Sequence, residues 1–282
     1  MKDFHIQYSQ VQWLTTAFLL TNGVVIPLSA LVIQRFTTRQ VFLTGILIFF
    51  IGTIVGGFSP NFTILLFARI IQALGSGIMM PLMMTTILDI FEPHERGKYM
   101  GIFGLVIGLA PAIGPTLSGY LVEYFNWRSL FHVVAPIAAI TFIIALFTVK
   151  NVGTNVKVPI DIISIILSVF GFGGLLYGTS SISHDGWDDP IVITTIIGGI
   201  ILVALFIWRQ SHLETPLLNF GVFKNKQFAI GLLIMAVTMI SMIGSETVLP
   251  MFVQNLLNES ALDSGLILLP GAIVMAVMSM TS

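Results

Sequence analysis

The sequence predicts an all-α protein that crosses a lipid bilayer several times. Of its 282 residues, 56% are hydrophobic and only 9% are charged, and the mean hydropathy is +0.98. Soluble domains carry roughly a quarter charged residues, so this chain has too few to cover a surface that faces water. The apolar residues also form long continuous runs, unlike the roughly ten alternating residues of a transmembrane β-strand. These observations indicate a polytopic integral membrane protein.

Nine apolar runs have about the length that an α-helix needs to span roughly 30 Å of hydrocarbon. The runs are residues 11–33, 41–58, 62–88, 100–122, 130–149, 160–180, 191–208, 228–253 and 261–280. The segments between them are short and polar, and none is long enough to form a soluble domain. We therefore predict about nine transmembrane helices.

Basic residues determine the orientation that we predict for these helices. Most of the 12 lysines and arginines fall in alternate loops. Those residues are Arg35, Arg39, Arg96, Lys98, Lys150, Lys157, Arg209, Lys224 and Lys226. The positive-inside rule places these loops in the cytoplasm. The chain is therefore expected to be a multi-pass protein of a cell (plasma) membrane.

The composition argues against several classes of function. A net charge of −1 is not typical of a nucleic-acid-binding protein. The chain has no cysteine, which excludes disulfides and thiolate metal sites. It also lacks a phosphate-binding P-loop, an H-E-x-x-H motif and a G-x-S-x-G motif. We predict no enzyme, no cofactor and no metal, and we leave the lipid bilayer and a small molecule as partners.

The fourth run contains glycines and prolines at helical spacing. The residues on one helical face are Gly101, Gly104, Gly108, Pro115 and Gly119. Such a face has almost no side chains, so a neighbouring helix could approach to backbone distance. Pro111 also removes a backbone donor and bends the helix, and Gly114 precedes Pro115. We predict a bent helix pressed tightly against a partner.

Arg69 lies inside the third apolar run. A charged residue at the centre of a membrane helix costs about 2.5–3.5 kcal/mol on insertion scales. The side chain should therefore face the bundle interior or a wet cavity and have a partner. Gln72 is three residues away and shares its face. The sequence leaves open a structural arginine that binds only backbone carbonyls.

Glu246 is a second charge inside an apolar run, with no basic residue within one helical turn. An unpaired carboxylate in a low dielectric can bind and release a proton near neutral pH. At 1.5 Å per residue, both Arg69 and Glu246 are expected about 12 Å below the outer surface. These two residues are the candidates for proton coupling. A carboxylate in an outer vestibule that water reaches is the alternative for Glu246.

Methionines are concentrated in the second half of the third run, at Met79, Met80, Met83 and Met84. Flexible, polarizable thioethers suit surfaces that accept ligands of many shapes. Together with Gln72, Met79 and Met83 are candidates for a substrate pocket. Side chains that merely face lipid are the commoner explanation of such a pattern.

Three of these patterns resemble motifs of the major facilitator superfamily. The glycine and proline pattern of the fourth run is similar to the fifth-helix antiporter motif, which marks proton-driven exporters in that family. Residues 66–77 (L-F-A-R-I-I-Q-A-L-G-S-G) resemble its fourth-helix R-x-x-Q-G motif, with Ala73 in place of the glycine. Residues 12–20 (Q-W-L-T-T-A-F-L-L) resemble the second helix of the fourteen-helix drug:proton antiporters.

The loop between the first two runs resembles the superfamily less closely. Arg35 and Arg39 match the family pattern, but Gln34 replaces its aspartate and Thr37 a glycine. The family loop is thought to latch helices through charge pairing, whereas these residues fit a basic loop that only fixes topology equally well. Asp161 stands in a family-like position, where we expect it to cap a helix N-terminus rather than bind substrate.

The resemblance implies an organisation for the whole chain. The nine runs would be helices two to ten of fourteen, so we expect the sequence to be truncated at both ends. Residues 1–149 would be the remainder of a six-helix N-terminal bundle. Residues 150–226 would form two linker helices with a cytoplasmic loop, and residues 227–282 would begin the C-terminal bundle.

The resemblance also implies a function. It predicts proton-coupled export of drugs or other amphiphilic small molecules by alternating access, with Arg69 taking part in proton coupling. An exporter of a specific metabolite or lipid would have the same fold. A membrane assembly or signalling protein without transport is the other alternative, and this chain could itself be an inactive fragment.

Overall fold

The structure, a computed structural model, describes residues 8–153, 161–213, 216, 218–257 and 259–279. Within these ranges it has nine α-helices and one short 3-10 helix. The α-helices are α1 (Tyr8–Arg35), α2 (Thr38–Gly57), α3 (Phe62–Ile90), α4 (Arg96–Tyr124), α5 (Arg128–Thr148), α6 (Ile162–Asp185), α7 (Pro190–His212), α8 (Lys226–Asn255) and α9 (Ala261–Ser279). The 3-10 helix, Phe220–Lys224, precedes α8.

The prediction of an all-α polytopic membrane protein is confirmed. Each predicted apolar run coincides with one helix, although Lys157, Ile160 and Met280 lie outside the described residues. Among the residues that the structure describes, seven helices are long and apolar enough to cross a membrane: α1 to α3 and α5 to α8. A shorter apolar segment, Leu262–Gly271, lies within α9.

Polar side chains cap the N-termini of α2, α7 and α8. Thr37 precedes α2 and forms a capping box with Gln40, in which each side chain binds the other residue's backbone N–H. Asp189 accepts hydrogen bonds from the backbone at the start of α7, where Pro190 is the first helical residue. Asn225 caps α8 in the same way. Each cap satisfies backbone donors that the first helical turn leaves without partners.

The chain divides into two compact units. The first comprises Met1–Thr86 and His132–Gly221, which include α1, α2, most of α3 and α5, α6 and α7. The second comprises Ile87–Phe131 and Val222–Ser282, with α4, α8 and α9. The three-part division at residues 149 and 226 stays a prediction.

Glycines allow close helix packing inside the first unit. A Cβ placed on Gly199 of α7 would lie 2.7 Å from the backbone nitrogen of Leu175 on α6, so these backbones nearly touch. Between α2 and α3, a Cβ on Gly75 would lie 2.6 Å from the backbone nitrogen of Phe49. Helix α6 also packs on α1, where Leu176 covers Gly23. Small residues at such contacts are typical of helix association in membranes.

The second unit is built around the contact between α4 and α9. A Cβ on Gly265 of α9 would lie 2.7 Å from the backbone nitrogen of Thr116 and 2.9 Å from the carbonyl carbon of Pro115. Helix α8 joins α9 through a hydrogen bond from Gln254 Nε2 to Ser264 Oγ, at 2.9 Å. The glycine- and proline-rich helix α4 therefore has a closely packed neighbour in its own unit.

Candidate functional site

Arg69 of α3 makes two contacts with side chains of its own unit. Its Nη1 donates a hydrogen bond to Gln72 Oε1 at 3.0 Å. Its guanidinium carbon lies 4.3 Å from the ring centre of Phe18 on α1, in cation–π geometry. The predicted partnership of Arg69 and Gln72 on one helical face is present.

Gln72 also binds a side chain of α2. Its side chain is almost fully buried, at 3% exposure, and its Nε2 donates to Thr53 Oγ1 at 2.9 Å. The Thr53 hydroxyl donates in turn to the carbonyl of Phe49, at 2.8 Å. Phe18, Thr53, Arg69 and Gln72 thus bring α1, α2 and α3 together, and we call them the Arg69 cluster.

The guanidinium of Arg69 retains unused hydrogen-bonding capacity. A guanidinium has five N–H donors, and one of them binds Gln72. Within the described part of the chain, no other acceptor binds the side chain and no carboxylate lies within 4 Å of it. The half-buried side chain therefore presents a positive charge that the cluster does not neutralise.

A second polar contact lies one to two turns farther along α3. Ser76 Oγ donates to Asn22 Oδ1 at 3.2 Å, which joins α3 to α1 again. Asn22 Nδ2 donates to the carbonyl of Phe18 at 3.1 Å. This pair was not predicted from the sequence, although the spacing of Ser76 from Arg69 places both on one helical face.

The methionines predicted for a substrate pocket have different surroundings. The Met79 side chain packs over Gly45 of α2, where a Cβ would collide with its terminal methyl group. Met83 is 46% exposed. A pocket formed by Gln72, Met79 and Met83 stays a prediction.

Glu246 lies in α8 and is half-buried. In the described ranges, its carboxylate has no hydrogen-bonding or ionic partner. On the packed helix α9, the carboxylate of Asp263 accepts a hydrogen bond from Ser260 Oγ at 2.7 Å. The role of Glu246 in proton coupling stays a prediction.

The predicted motif of α4 comprises Gly104, Gly108, Pro111, Gly114, Pro115 and Gly119. Close backbone contact with α9 occurs at Pro115 and Thr116. It does not extend to Gly114, where a Cβ would meet no atom within 4 Å. Gly114 lies about 100° around the helix from Pro115, so it points away from that contact.

Arg35 and Arg39, which we assigned to a loop, lie at the end of α1 and in the first turn of α2, where Arg39 joins α2 to the end of α5 without an aspartate. Arg39 Nη2 donates to the carbonyl of Leu146 at 2.7 Å, in the last turn of α5. Carbonyls of the last helical turn have no intrahelical donor and carry partial negative charge. The backbone N–H of Arg39 also donates to Asn151 Oδ1 at 3.2 Å. Arg35 is the last residue of α1.

Asp161 and Arg209 form an ion pair between α6 and α7. Arg209 Nε donates to Asp161 Oδ2 at 2.7 Å, and Nη2 donates to Oδ1 at 2.9 Å. Ser164 Oγ donates to the same carboxylate at 2.6 Å and accepts from Gln210 Nε2 at 2.6 Å. The hydrogen bond from Arg209 is the main reason that the pKa of Asp161 falls to about 2.

Two expectations about this pair need correction. Asp161 occupies the N-cap position of α6, but its side chain makes no capping hydrogen bond because Arg209 and Ser164 bind it. Arg209, which we assigned to a cytoplasmic loop, lies in the last turn of α7. The first error arises because the pairing residues are far apart in sequence, and the second because α7 continues beyond the apolar run to His212.

Seven candidate spans among the described residues, with a charged cluster inside them, define a polytopic membrane protein. The chain belongs to the Major Facilitator Superfamily, whose sequence profile matches residues 1–282. The resemblance to this superfamily is therefore confirmed, and its members are transporters rather than enzymes.

Bacterial relatives agree with this assignment. The chain is 52% identical over 279 residues to the MFS-type transporter YcnB of Bacillus subtilis (strain 168), covering 99% of this chain and 59% of the relative. It is 42% identical over 281 residues to the lincomycin resistance protein LmrB of that organism, covering 99% and 59%. The multidrug transporter protein MdtP of B. subtilis is 32% identical over 272 residues, covering 96% and 50%. The chain thus spans between half and three-fifths of these relatives.

Proposed function

We propose that this protein is a proton-coupled exporter of drugs or other amphiphilic small molecules in the bacterial plasma membrane. The observation that carries the proposal is the Arg69 cluster, an unneutralised charge held by three membrane-spanning helices. Intramembrane charges of this kind mark substrate and proton pathways. Relatives named for lincomycin and multidrug resistance support drugs as the substrate class.

The proposed mechanism is alternating access, in which one bundle rocks against another around a site near the midplane. Glu246 takes up and releases the proton, because a half-buried carboxylate without a partner can change its protonation state. Arg69 supplies a permanent positive charge inside the membrane for the coupling. Gln72, Met79 and Met83 contribute to the substrate pocket. The close packing of α4 on α9 holds these two helices together during the movement, because both belong to the second unit.

The test compares wild type with Glu246→Gln in cells that express the protein. We expect wild type to raise resistance to lincomycin, and a protonophore to abolish this effect. Glu246→Gln should reduce the resistance to background with unchanged protein in the membrane. Glu259→Gln is the matched control, because Glu259 lies between α8 and α9 rather than inside a helix.

Two results would contradict the proposal. Export that persists with a protonophore would exclude proton coupling. Wild-type export by Glu246→Gln would remove Glu246 from the mechanism. Loss of activity in Glu259→Gln as well would show that the amide substitution acts through general damage.

A further inference from the structure

The acceptor atoms of the Arg69 cluster are engaged by protein donors. Gln72 Oε1 accepts from Arg69, and Thr53 Oγ1 accepts from Gln72. In the neighbouring pair, Asn22 Oδ1 accepts from Ser76. The principal unused polar groups are therefore the N–H donors of the guanidinium. A ligand that hydrogen-bonds at this position must bring acceptors.

The charge of the cluster points to the same class of ligand. In the part of the chain that the structure describes, no carboxylate neutralises Arg69. Like charges repel strongly in a low dielectric, so an organic cation beside this guanidinium would be disfavoured. An anionic or neutral group with acceptor oxygens would be attracted.

One face of Phe18 is no longer available to bind a cation. Aromatic faces bind organic cations through the ring quadrupole. One face of Phe18 already has the Arg69 guanidinium over it, at 4.3 Å from the ring centre. The ring therefore stabilises the protein's own cation at the place where it would otherwise receive a cationic drug.

We propose that the Arg69 cluster binds the acceptor-oxygen group of an anionic or neutral amphiphile and discriminates against organic cations. This proposal rests on the proposed exporter function for its setting, and it names the substrate class at that site. The guanidinium donates to the oxygens of the ligand, as it does to carboxylates and phosphates elsewhere.

The experiment uses three probes that share one ring system and differ in one group. They are pyrene-1-sulfonate, (1-pyrenylmethyl)trimethylammonium and 1-pyrenemethanol. Binding to the purified chain in a neutral detergent is measured by energy transfer from tryptophan to pyrene, with protein-free micelles as the blank. The variants are Arg69→Gln and Arg69→Lys. Lys150→Gln removes one exposed positive charge elsewhere in the first unit and is the matched control.

We expect the sulfonate to bind wild type roughly tenfold more tightly than the ammonium probe, with the alcohol between them. Arg69→Gln should raise the dissociation constant of the sulfonate about tenfold and remove this preference. Arg69→Lys retains the charge but not the planar fork, so it should keep part of the preference. Lys150→Gln should behave as wild type.

Equal binding of the three probes, tighter binding of the ammonium, or a sulfonate preference that survives in Arg69→Gln would each overturn the inference. Arg69→Lys supplies the test if Arg69→Gln does not fold, because an unchanged preference without the guanidinium fork would contradict the assigned hydrogen bonds. Proton-coupled export without the sulfonate preference would overturn this inference alone. If the chain prefers the sulfonate but shows no proton-coupled export, the proposed function is overturned and the proposed binding site still stands.

Discussion

Two arginines in membrane-spanning helices of the same unit have opposite surroundings. Arg209 lies in the last turn of α7 and donates two hydrogen bonds to the carboxylate of Asp161. Arg69 lies farther inside its helix and has an amide and an aromatic ring as partners. The charge of Arg209 is neutralised by its partner, whereas no carboxylate of the described residues neutralises Arg69.

This difference separates a structural charge from one that is available for function. A charge inside a membrane is costly, and pairing it is the usual remedy. The bidentate pair of Asp161 and Arg209 holds α6 to α7 and leaves little capacity for another ligand. Arg69 is supported enough to be positioned but keeps most of its donors. We infer that Arg209 stabilises the first unit, and we propose that Arg69 serves transport.

The largest expected effect is the loss of export in Arg69→Gln. The substitution removes the fixed charge that the proposed mechanism requires, so export should fall to background. The stability of the fold should change little. A charge without an ionic partner costs free energy inside a membrane, so its removal offsets the loss of the contacts with Gln72 and Phe18. The measurements are protonophore-sensitive efflux and the thermal unfolding temperature of the purified protein.

Normal export by Arg69→Gln would contradict the proposal that Arg69, unlike Arg209, serves transport. The proposal would also fail if the variant lost export only in proportion to a loss of folded protein. Arg69→Lys is the control for charge alone, and we expect intermediate export from it because an ammonium lacks the planar fork.

Asp161→Asn should show the opposite pattern. The substitution removes the negative charge and leaves Arg209 without its ionic partner, so the unfolding temperature should fall by a few degrees. Export per folded molecule should stay close to wild type. The side chains of Arg209 and Asp161 are 32% and 18% exposed, so solvent screening limits the effect.

The pH dependence of the unfolding temperature tests whether the Asp161–Arg209 ion pair causes the loss of stability in Asp161→Asn. The pKa of Asp161 is lowered from 3.8 to about 2 by folding, so the pair stabilises the protein fully above pH 3.8. That stabilisation is lost as the pH falls through 2. The difference in unfolding temperature between wild type and Asp161→Asn should therefore be constant above about pH 5 and decrease below pH 4. A constant difference down to pH 2 would rule out the pair as its origin.

Much of this fold could be predicted from the sequence, because long apolar runs specify membrane helices locally. The predicted limits of α4 and α5 lie within four residues of the observed ones. The relation of Arg69 to Gln72 was also predictable, since helical spacing alone places them on one face.

Contacts between helices could not be predicted in this way. Asp161 and Arg209 are 48 residues apart, and nothing local indicates that α6 and α7 pack with these ends together. Thr53 joins the Arg69 cluster only because Gly52 lets α3 approach, with a Cβ at that position lying 2.6 Å from Gln72 N. Hydroxyl residues are common in membrane helices, so nothing in the sequence distinguishes Thr53 from Thr141.

The smallest expected effect tests whether support from α2 matters to Arg69. Thr53 and Thr141 both donate to a carbonyl four residues earlier, at 2.8 and 2.7 Å. Only Thr53 also accepts the hydrogen bond from Gln72 Nε2. Thr53→Val should therefore leave the buried amide of Gln72 without its acceptor and lower the free energy of unfolding by about 1 kcal/mol. If the hydrogen bond stabilises the position of the Arg69 guanidinium that export requires, export should fall about fivefold. Thr141→Val should change neither export nor stability measurably. Equal effects of the two substitutions would mean that the hydrogen bond across α2 and α3 does not position Arg69, and that α3 and Phe18 suffice to hold the guanidinium.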